Sequence, residues 1–469
     1  MKVLTTNIST LSQDIYLRGD AKYYYAIENN LFNLFNTSNN VRLSDIIEEK
    51  YSICPYLDDV DYFGIPTGQA YIDEDGDITD FQLVNVDNHP GRLKYTVSKD
   101  NILLSSLRLA KAPALNFDFE NINEYVFSNG FYVFAVKEGW NQKFVLYLLR
   151  SKKLKSLIDN NIYRGIGISA YKIEDLYKVE VGKCSIENQN LAVRKIIPIE
   201  AEIKDLKRGI KSVQKIIDDI FQKEFYFDYE KFDELKKIKI FTKAPLDFAN
   251  NSDSRFSVKF HRPAGEYVES ELKRITKKKI KHFLSEPIIL GASVSPSDYD
   301  ETGEFQYLSM ATIKTWSYNY EEARFVSNDY AVSKQGKTIS KNDIILARSG
   351  EGTIGKVALI EYDHKAVFAD FTMRIRLKNY NHKFAYYFMR SVYFQYLIEI
   401  YKKGLGNNTN IFPIVIQEFP LPDISLDEQQ RIVDEIHAEI SKQNEIKAQI
   451  LKLRLQIDDI IENTIKKTN

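Results

Sequence analysis

Apolar residues recur at alternating steps of three and four in two stretches of the chain. The first stretch is Ile196, Ile199, Ile203, Leu206, Ile210, Val213, Ile217 and Ile220; the second is Ile446, Ile450, Leu453, Ile457 and Ile460. Each is a heptad seam, a stripe too narrow for a broad core and suited to one partner helix. Upstream of the second, Ile432, Ile436 and Ile440 keep one helical face apolar. The pattern predicts two long helices, with Pro198 kinking or starting a segment early in the first. The nearest partner for each helix is the other, and antiparallel pairing would place globular regions at opposite ends. A coiled coil used only for dimerisation is the plainer alternative. Elsewhere, short strand-like runs are punctuated by turn signals such as Asp75-Gly and Glu301-Thr-Gly, and further helices are predicted over 142–160 and 382–401.

This order of features occurs twice. Phe144-Val-Leu-Tyr-Leu-Leu-Arg-Ser is similar to Phe384-Ala-Tyr-Tyr-Phe-Met-Arg-Ser, 240 residues later, and Ile217-Asp-Asp-Ile returns as Ile457-Asp-Asp-Ile at the same offset. Gly165-Ile-Gly matches Gly404-Leu-Gly at 239, and Glu187-Asn-Gln matches Glu428-Gln-Gln at 241. Asp100-Asn-Ile-Leu-Leu-Ser-Ser pairs with Asp343-Ile-Ile-Leu-Ala-Arg-Ser, and more faintly Arg18-x-x-Ala-Lys-Tyr with Arg255-x-x-Val-Lys-Phe. Several matches in one order at a nearly constant offset mean that whole domains were duplicated, since the period far exceeds a solenoid repeat.

Composition narrows the partners. Hydrophobic residues at 44% and charged residues at 28% are ordinary for globular domains. A formal net charge of -1 means that any nucleic-acid surface must be local. Two cysteines, Cys54 and Cys184, build no disulfide framework and fit a reducing cytoplasm, the expected location. The opening residues are polar, with Asp14 and Asp20, unlike a signal peptide, and no apolar run approaches the roughly 20 residues of a membrane span.

Familiar catalytic signatures are missing. Gly350-Glu-Gly-Thr-Ile-Gly-Lys356 fits most of a phosphate-binding loop, but Val357 stands where Ser or Thr would hold Mg²⁺. The following Lys-Val-Ala-Leu-Ile-Glu reads as a strand rather than a helix, so a glycine-rich hairpin is the better reading. No Asp/Asn-Pro-Pro-aromatic motif of amino-group methyltransferases occurs, nor a glycine-rich loop for S-adenosylmethionine between strand and helix. No histidine sits at metal-ligand spacing with another His or Cys. Asp233-Glu-Leu-Lys236 superficially looks like a nuclease cluster, but its charge-rich surroundings favour a solvated surface.

The doubled order resembles the specificity subunits of type I restriction-modification systems. The residues that carry the resemblance are Pro420-Leu-Pro-Asp-Ile-Ser-Leu-Asp-Glu-Gln-Gln-Arg-Ile-Val433, Asp343-Ile-Ile-Leu-Ala-Arg-Ser-Gly-x-Gly-Thr-Ile-Gly-Lys356 and Leu17-Arg-Gly-Asp-Ala-Lys-Tyr-Tyr24. The first copy departs from the pattern. It has Ser106-Leu-Arg108-Leu-Ala-Lys111-Ala-Pro113 where the second has Arg348-Ser-Gly-x-Gly, and Glu187-Asn-Gln-Asn is a weaker Glu428-Gln-Gln-Arg431.

The resemblance implies an α+β chain with two similar α/β target recognition domains, separated by two long antiparallel coiled-coil helices in a pseudo-two-fold duplication. The expected domains are a first recognition domain at 1–184, a central spacer helix at 185–225, a second recognition domain at 226–424 with a linker at 226–250, and a C-terminal spacer helix at 425–469. It implies a non-enzymatic subunit that recognises a bipartite, asymmetric double-stranded DNA target. Two methyltransferase subunits that modify adenine would dock on the helices, together with motor-endonuclease subunits. S-adenosylmethionine, ATP and Mg would sit on those partners, with no cofactor on this chain. On the outer flanks of the seams, Lys442 and Arg454 are expected to contact the methyltransferases. The specificity chain of a related type II system, or a scaffold that bridges proteins, are the rival readings.

Base edges and phosphates are read by loops carrying amides, hydroxyls, Arg and Lys. In the first copy the candidates are Thr67, Gln69, Arg108, Lys111, Arg164 and Ser169. In the second they are Lys314, Thr315, Trp316, Arg348, Ser349, Gly350, Thr353, Lys356, Asn407, Asn408, Thr409 and Asn410. The basic run Lys273-Arg-x-x-Lys277-Lys-Lys-x-Lys281 is read equally as a phosphate track or a solvated helix face.

Overall fold

A computed structural model describes residues 20–467, apart from 69, 74, 108–113, 118, 165–169, 250–254, 314, 315, 351 and 405–408. The chain divides into two compact units. Unit 1 runs to Gly209 and takes up the chain again from Ile446; unit 2 is Ile210–Glu445.

Unit 1 opens with helix α1 (Ala21–Glu28), N-capped by Asp20, and strands β1 (Asn40–Arg42) and β2 (Ile47–Glu49). Strands β3 (Ser52–Ile53), β4 (Tyr62–Ile65), β5 (Gln82–Val84), β6 (Leu93–Thr96), β7 (Asn101–Ser105), β8 (Tyr125–Ser128) and β9 (Phe131–Val136) follow. Helices α2 (Gln142–Arg150), α3 (Lys152–Leu157) and α4 (Ile173–Tyr177), strand β10 (Glu180–Gly182) and the long helix α5 (Ile186–Arg208) complete this part. Among the described residues the sheet orders are β3-β6-β8-β4-β5, β2-β9-β7 and β1-β10.

Unit 2 starts with helices α6 (Val213–Phe225), α7 (Tyr229–Lys237), α8 (Pro245–Ala249) and α9 (Pro263–Ile275). Its strands are β11 (Ile289–Leu290), β12 (Phe305–Leu308), β13 (Arg324–Val326), β14 (Ile344–Ala347), β15 (Val357–Leu359), β16 (Ala366–Phe368) and β17 (Thr372–Ile375), with helix α10 (Asn328–Ser333) between β13 and β14. Helices α11 (His382–Arg390), α12 (Val392–Tyr401), α13 (Pro413–Ile416) and α14 (Leu426–Lys466) end the chain. The sheets are ordered β11-β17-β14-β15 and β13-β12-β16.

The two units repeat one topology. In unit 1 the parallel pair β4–β8 is flanked by antiparallel β5; in unit 2 the parallel pair β12–β16 is flanked by antiparallel β13. The antiparallel pair β7–β9 likewise has its counterpart in β14–β17, with β2 and β11 at matching edges. Alternation along the central strands feeds a separate core on each face. Ile102 and Leu104 join the core with Phe134, Phe144 and Leu148, whereas Leu103 faces the core of Leu115 and Phe127. Ile344 and Leu346 pack with Phe384 and Phe388, and Ile345 turns to Ile360 and Phe368.

Buried polar contacts fasten the long helices at matching positions. Asn141 N-caps α2, and its N–H donates to Gln189 Oε1 of α5 at 2.7 Å, while Gln189 Nε2 donates to the Cys184 carbonyl at 3.0 Å. In unit 2, Asn381 N-caps α11, its N–H donates to Gln429 Oε1 of α14 at 2.8 Å, and Gln429 Nε2 donates to the Ile424 carbonyl at 2.8 Å. Gln189 therefore corresponds to Gln429, one place away from the 241-residue match of Glu187 with Glu428. The Ile-Asp-Asp-Ile motifs act alike: Asp458 Oδ1 accepts the Lys152 N–H at the start of α3 (3.2 Å), and Asp218 Oδ1 accepts the Val392 N–H at the start of α12 (3.0 Å). Unit 2 shows antiparallel pairing of α6 with the first part of α14 through Lys223–Glu435 and Arg431–Glu224. In unit 1, Gln449 Nε2 of α14 donates to Glu202 of α5 at 2.9 Å.

Several expected elements differ in detail. Each helix predicted over 142–160 and 382–401 is two helices, because Ser151 and Ser391 leave the helical region (ψ 141° and 152°) to cap α3 and α12. The central seam is also interrupted. Pro198 lies inside α5, and the break falls at 209–212, where Gly209 ends α5 and Ser212 caps α6 by accepting the Lys215 N–H. Ile210, a seam position, thus lies between helices. The outer-flank expectation is corrected for Arg454, which turns into its own unit to bond Asp75; Lys442 is exposed and pairs with Glu439 of its own helix.

Burial pushes the Asp218 and Asp458 carboxyls upward from their ordinary value. A raised folded value favours the protonated form, so this contribution is complete below the unfolded value and is lost as pH rises through the folded one. Asn at 218 keeps the accepting oxygen without the charge. D218N is therefore expected to gain in melting temperature over the native chain as pH rises from about 4 to 7. D218A is expected to lose about 1 kcal/mol, as for other lost caps. Calorimetry that found the two variants indistinguishable would contradict the capping role.

Candidate nucleic-acid interface

Residues 348–356 join β14 to β15 in a tight, self-bonded turn. Gly350, Gly352 and Gly355 have φ of +87°, +81° and +88°, backbone that side chains rarely adopt. The Ile354 and Thr353 N–H groups donate to the Gly350 carbonyl (2.9 and 3.2 Å), and the Gly355 N–H donates to the Ala347 carbonyl (2.8 Å). The phosphate-loop look-alike is thus a strand-to-strand turn, followed by β15 rather than by a helix whose amides could cradle phosphate.

Three loops of unit 2 meet at this turn. Ser349 bridges antiparallel to Asn410, and the Ile411 N–H donates to the Arg348 carbonyl at 2.8 Å. Lys403 and Asn410 exchange backbone bonds of 2.8 and 2.7 Å. Trp316, at φ +63°, offers its carbonyl to the Tyr386 hydroxyl, while its ring lies 6.0 Å from Lys356 Nζ and 5.3 Å from the Arg390 guanidinium. Burial pushes the Tyr386 hydroxyl upward, partly offset by Arg390. Met310 Sδ accepts from Ser349 Oγ and Thr353 Oγ1, at 3.8 and 3.7 Å. The Arg348 Nε donates to the Asp370 carbonyl at 2.9 Å, and its head lies 5.9 Å from the Phe412 ring. Trp316, Arg348, Ser349, Gly350, Thr353, Lys356, Thr409 and Asn410 therefore belong to one loop cluster. Thr409 is buried in it, its hydroxyl without a partner among the described residues. Lys314, Thr315, Asn407 and Asn408 lie outside the described residues.

The cluster holds residues that sequence reasoning passed over. Phe371 and Phe412 are exposed beside Arg348, and Lys403 pairs with Asn410 through the backbone. Phe371 and Phe412 carry no spacing signal; Lys403 adjoined the recognised Gly404-Leu-Gly. Exposed aromatic faces next to Arg, Lys and hydroxyl groups suit a polyanion that also presents stacked bases.

Unit 1 has the same frame with other side chains. Leu107 bridges to Ala170, the Tyr171 N–H donates to the Ser106 carbonyl at 3.3 Å, and the Arg164 N–H donates to the Ala170 carbonyl at 2.9 Å. Leu107, Ala170 and Arg164 thus stand where Ser349, Asn410 and Lys403 stand in unit 2. The Arg164 Nε donates to the buried Asp175 carboxylate at 3.0 Å, which also accepts from the Tyr23 hydroxyl at 3.1 Å. Arg164 faces inward and ties this loop to α1 and α4. Thr67 lies beside Gly130, its methyl 2.8 Å from where a Cβ there would stand. Gln69, Arg108, Lys111 and Ser169 lie outside the described residues.

The basic run is largely matched by acids: Lys273 by Glu269, Arg274 by Glu271, and both Lys279 and Lys281 by Glu418. Among the described residues no cluster of three or more His, Cys, Asp or Glu is arranged to hold a metal ion, and no helix is long and apolar enough to cross a membrane.

The glycines make a graded prediction. A Cβ at 350 would lie 2.6 Å from Thr353 Oγ1, whereas one at 352 meets nothing within 4 Å. G352A should cost about 1 kcal/mol of backbone strain, and G350A more, since Thr353 must also move. Urea unfolding that showed equal costs would contradict the packing of this turn.

Residues 277–453 match the type I restriction modification DNA specificity domain. No curated protein matches the chain by sequence. Among solved structures, the chain is similar to one from work on complex assembly and conformational transition of the type I R-M system, at 14% identity and a TM-score of 0.51, covering 91% of this chain and 97% of that one. The HsdS subunit from Thermoanaerobacter tengcongensis aligns at 15% identity and a TM-score of 0.34, over 91% of this chain and 96% of that one. A type I restriction-modification S subunit from M. genitalium aligns at 12% identity and 0.36, over 92% and 96%. The first of these shows a shared fold. Over residues 277–453 the chain is thus similar to the type I restriction modification DNA specificity domain.

Proposed function

We propose that each unit reads one half of a bipartite, asymmetric DNA sequence, and that the chain directs a partner adenine methyltransferase, and with it a motor-endonuclease, to that site. One observation carries this reading. The same backbone closure holds Arg348, Ser349 and Asn410 in unit 2 but Ser106, Leu107 and Ala170 in unit 1. One frame with different side chains at its tips is what reading two different half-sites requires. The chain itself performs no chemistry in this account. S-adenosylmethionine, ATP and Mg are assigned to the partners. Exposed apolar residues on α5, Leu191 and Ile197, suit the docking of methyltransferase subunits.

The test is methylome sequencing of cells that express the chain with its cognate methyltransferase. The expected motif has two specified blocks separated by unspecified bases; a single continuous block, or no motif, would count against the reading. Within it, R348A should relax specificity in one block and weaken binding about tenfold or more. K356A should weaken binding to all sequences alike and reduce the salt dependence by about one ion. Loss of preference in both blocks after R348A would show that the two units do not read independently.

A further inference from the structure

In unit 1 the turn between β4 and β5 carries Asp73, Asp75 and Asp77, and all three converge on one ammonium. Lys207, at the end of α5, places Nζ 2.7 Å from Asp73, 2.6 Å from Asp75 and 3.2 Å from Asp77. Its three donors are matched by three carboxylates. Asp75 also bonds Arg454, which projects from α14. The turn is built to present these groups. Asp73 Oδ1 accepts the N–H of Asp75 and of Asp77, both at 2.9 Å, and Gly76 supplies a φ of +89°. Burial works against the charge of Asp73, but hydrogen bonds from Lys207 and the two amides outweigh it and hold the carboxyl below its ordinary range.

Beside the clamp the same unit has a cleft of about 1200 Å³. Phe81, Phe119 and Tyr125 line it from the side of the five-stranded sheet, and Lys204, Leu451 and Leu455 line it from the helices. The sheet is thus partly separated from α5 and α14 by open space, and the ion cluster spans the gap. No comparable three-carboxylate cluster occurs in unit 2 among the described residues.

We propose that Lys207 and Arg454 are positioning residues: through Asp73, Asp75 and Asp77 they set the angle at which the five-stranded sheet of unit 1 is held against α5 and α14. An ionic clamp in partly exposed surroundings is screened by salt, unlike the apolar packing around it. The sheet's attachment therefore loosens as ionic strength rises, while the unit's core stays closed. The consequence for DNA reading rests on the function proposed above; the clamp itself does not.

The experiment is hydrogen exchange on the full-length chain at about 50 mM and 1 M NaCl, salt levels that span strong screening. In the native chain, amides of 71–84 should exchange several-fold faster at high salt, with α2 and α3 unchanged. K207Q should show that faster exchange at low salt, roughly fivefold or more, and should remove the salt response. K207R should retain slow exchange. Unchanged exchange in K207Q would overturn the proposal. So would acceleration spread over the whole unit, because Lys207 would then be a general stabiliser. Methylome sequencing of K207Q with its methyltransferase separates the two claims. Relaxation of one motif block alone supports positioning. A native chain that yields no motif defeats the DNA-reading proposal while the exchange data still decide the clamp.

Discussion

A buried glutamine accepts the backbone N–H that begins a neighbouring helix, and the rest of each unit is arranged around that contact. Gln189 does this for Asn141, and Gln429 for Asn381. Both glutamines are essentially inaccessible, so a partner lost there leaves a desolvated amide with nothing to bond. An apolar seam alone tolerates sliding by one helical step, because one isoleucine replaces another at little cost. A buried amide that must meet one specific N–H does not tolerate it. The aspartates of the Ile-Asp-Asp-Ile motifs add a second fixed point, capping α3 and α12. Each unit is therefore closed by long-helix segments whose register is set by polar contacts rather than by the hydrophobic pattern.

With the helices fixed in this way, the sheets they cover can present loops of different chemistry without altering the frame. β7 and β14 are buried on both faces and pair with β9 and β17 in the same sense. Beyond them the two units diverge. Unit 2 ends its strand in a glycine-rich turn with Arg348 and Lys356, while unit 1 continues through Ser106 and Leu107. Arg164 and Lys403 hold the same backbone position, yet Arg164 turns inward to Asp175. A constant frame thus carries different side chains at its tips in the two units.

The duplication, the long helices and the hairpin nature of 350–356 were legible in the sequence, because periodicity and turn chemistry are local. The helix breaks were written there as well: a heptad pattern runs past Gly209 and Ser212 and concealed those stops, while Ser151 and Ser391 sit inside apolar stretches that read as single helices. The match of Glu187 with Glu428 followed residue type and missed the register by one; only the bonds to Asn141 and Asn381 reveal that Gln189 and Gln429 correspond. Arg454 looked like an outward flank by its place beside the seam. Its partner Asp75 lies 379 residues away in the chain, and no local rule links them. Phe371 and Phe412 were overlooked for the same reason, since a side chain that joins a loop cluster through tertiary contacts leaves no periodic trace.

The central claim is that each unit has its own core and its own reading loops. It is tested most directly by replacing residues 241–423 with the matching region of a related chain and sequencing the methylome produced with the native methyltransferase. The account predicts that one block of the methylated motif changes and the other is retained. A change in both blocks, in a complex that still methylates, would contradict it.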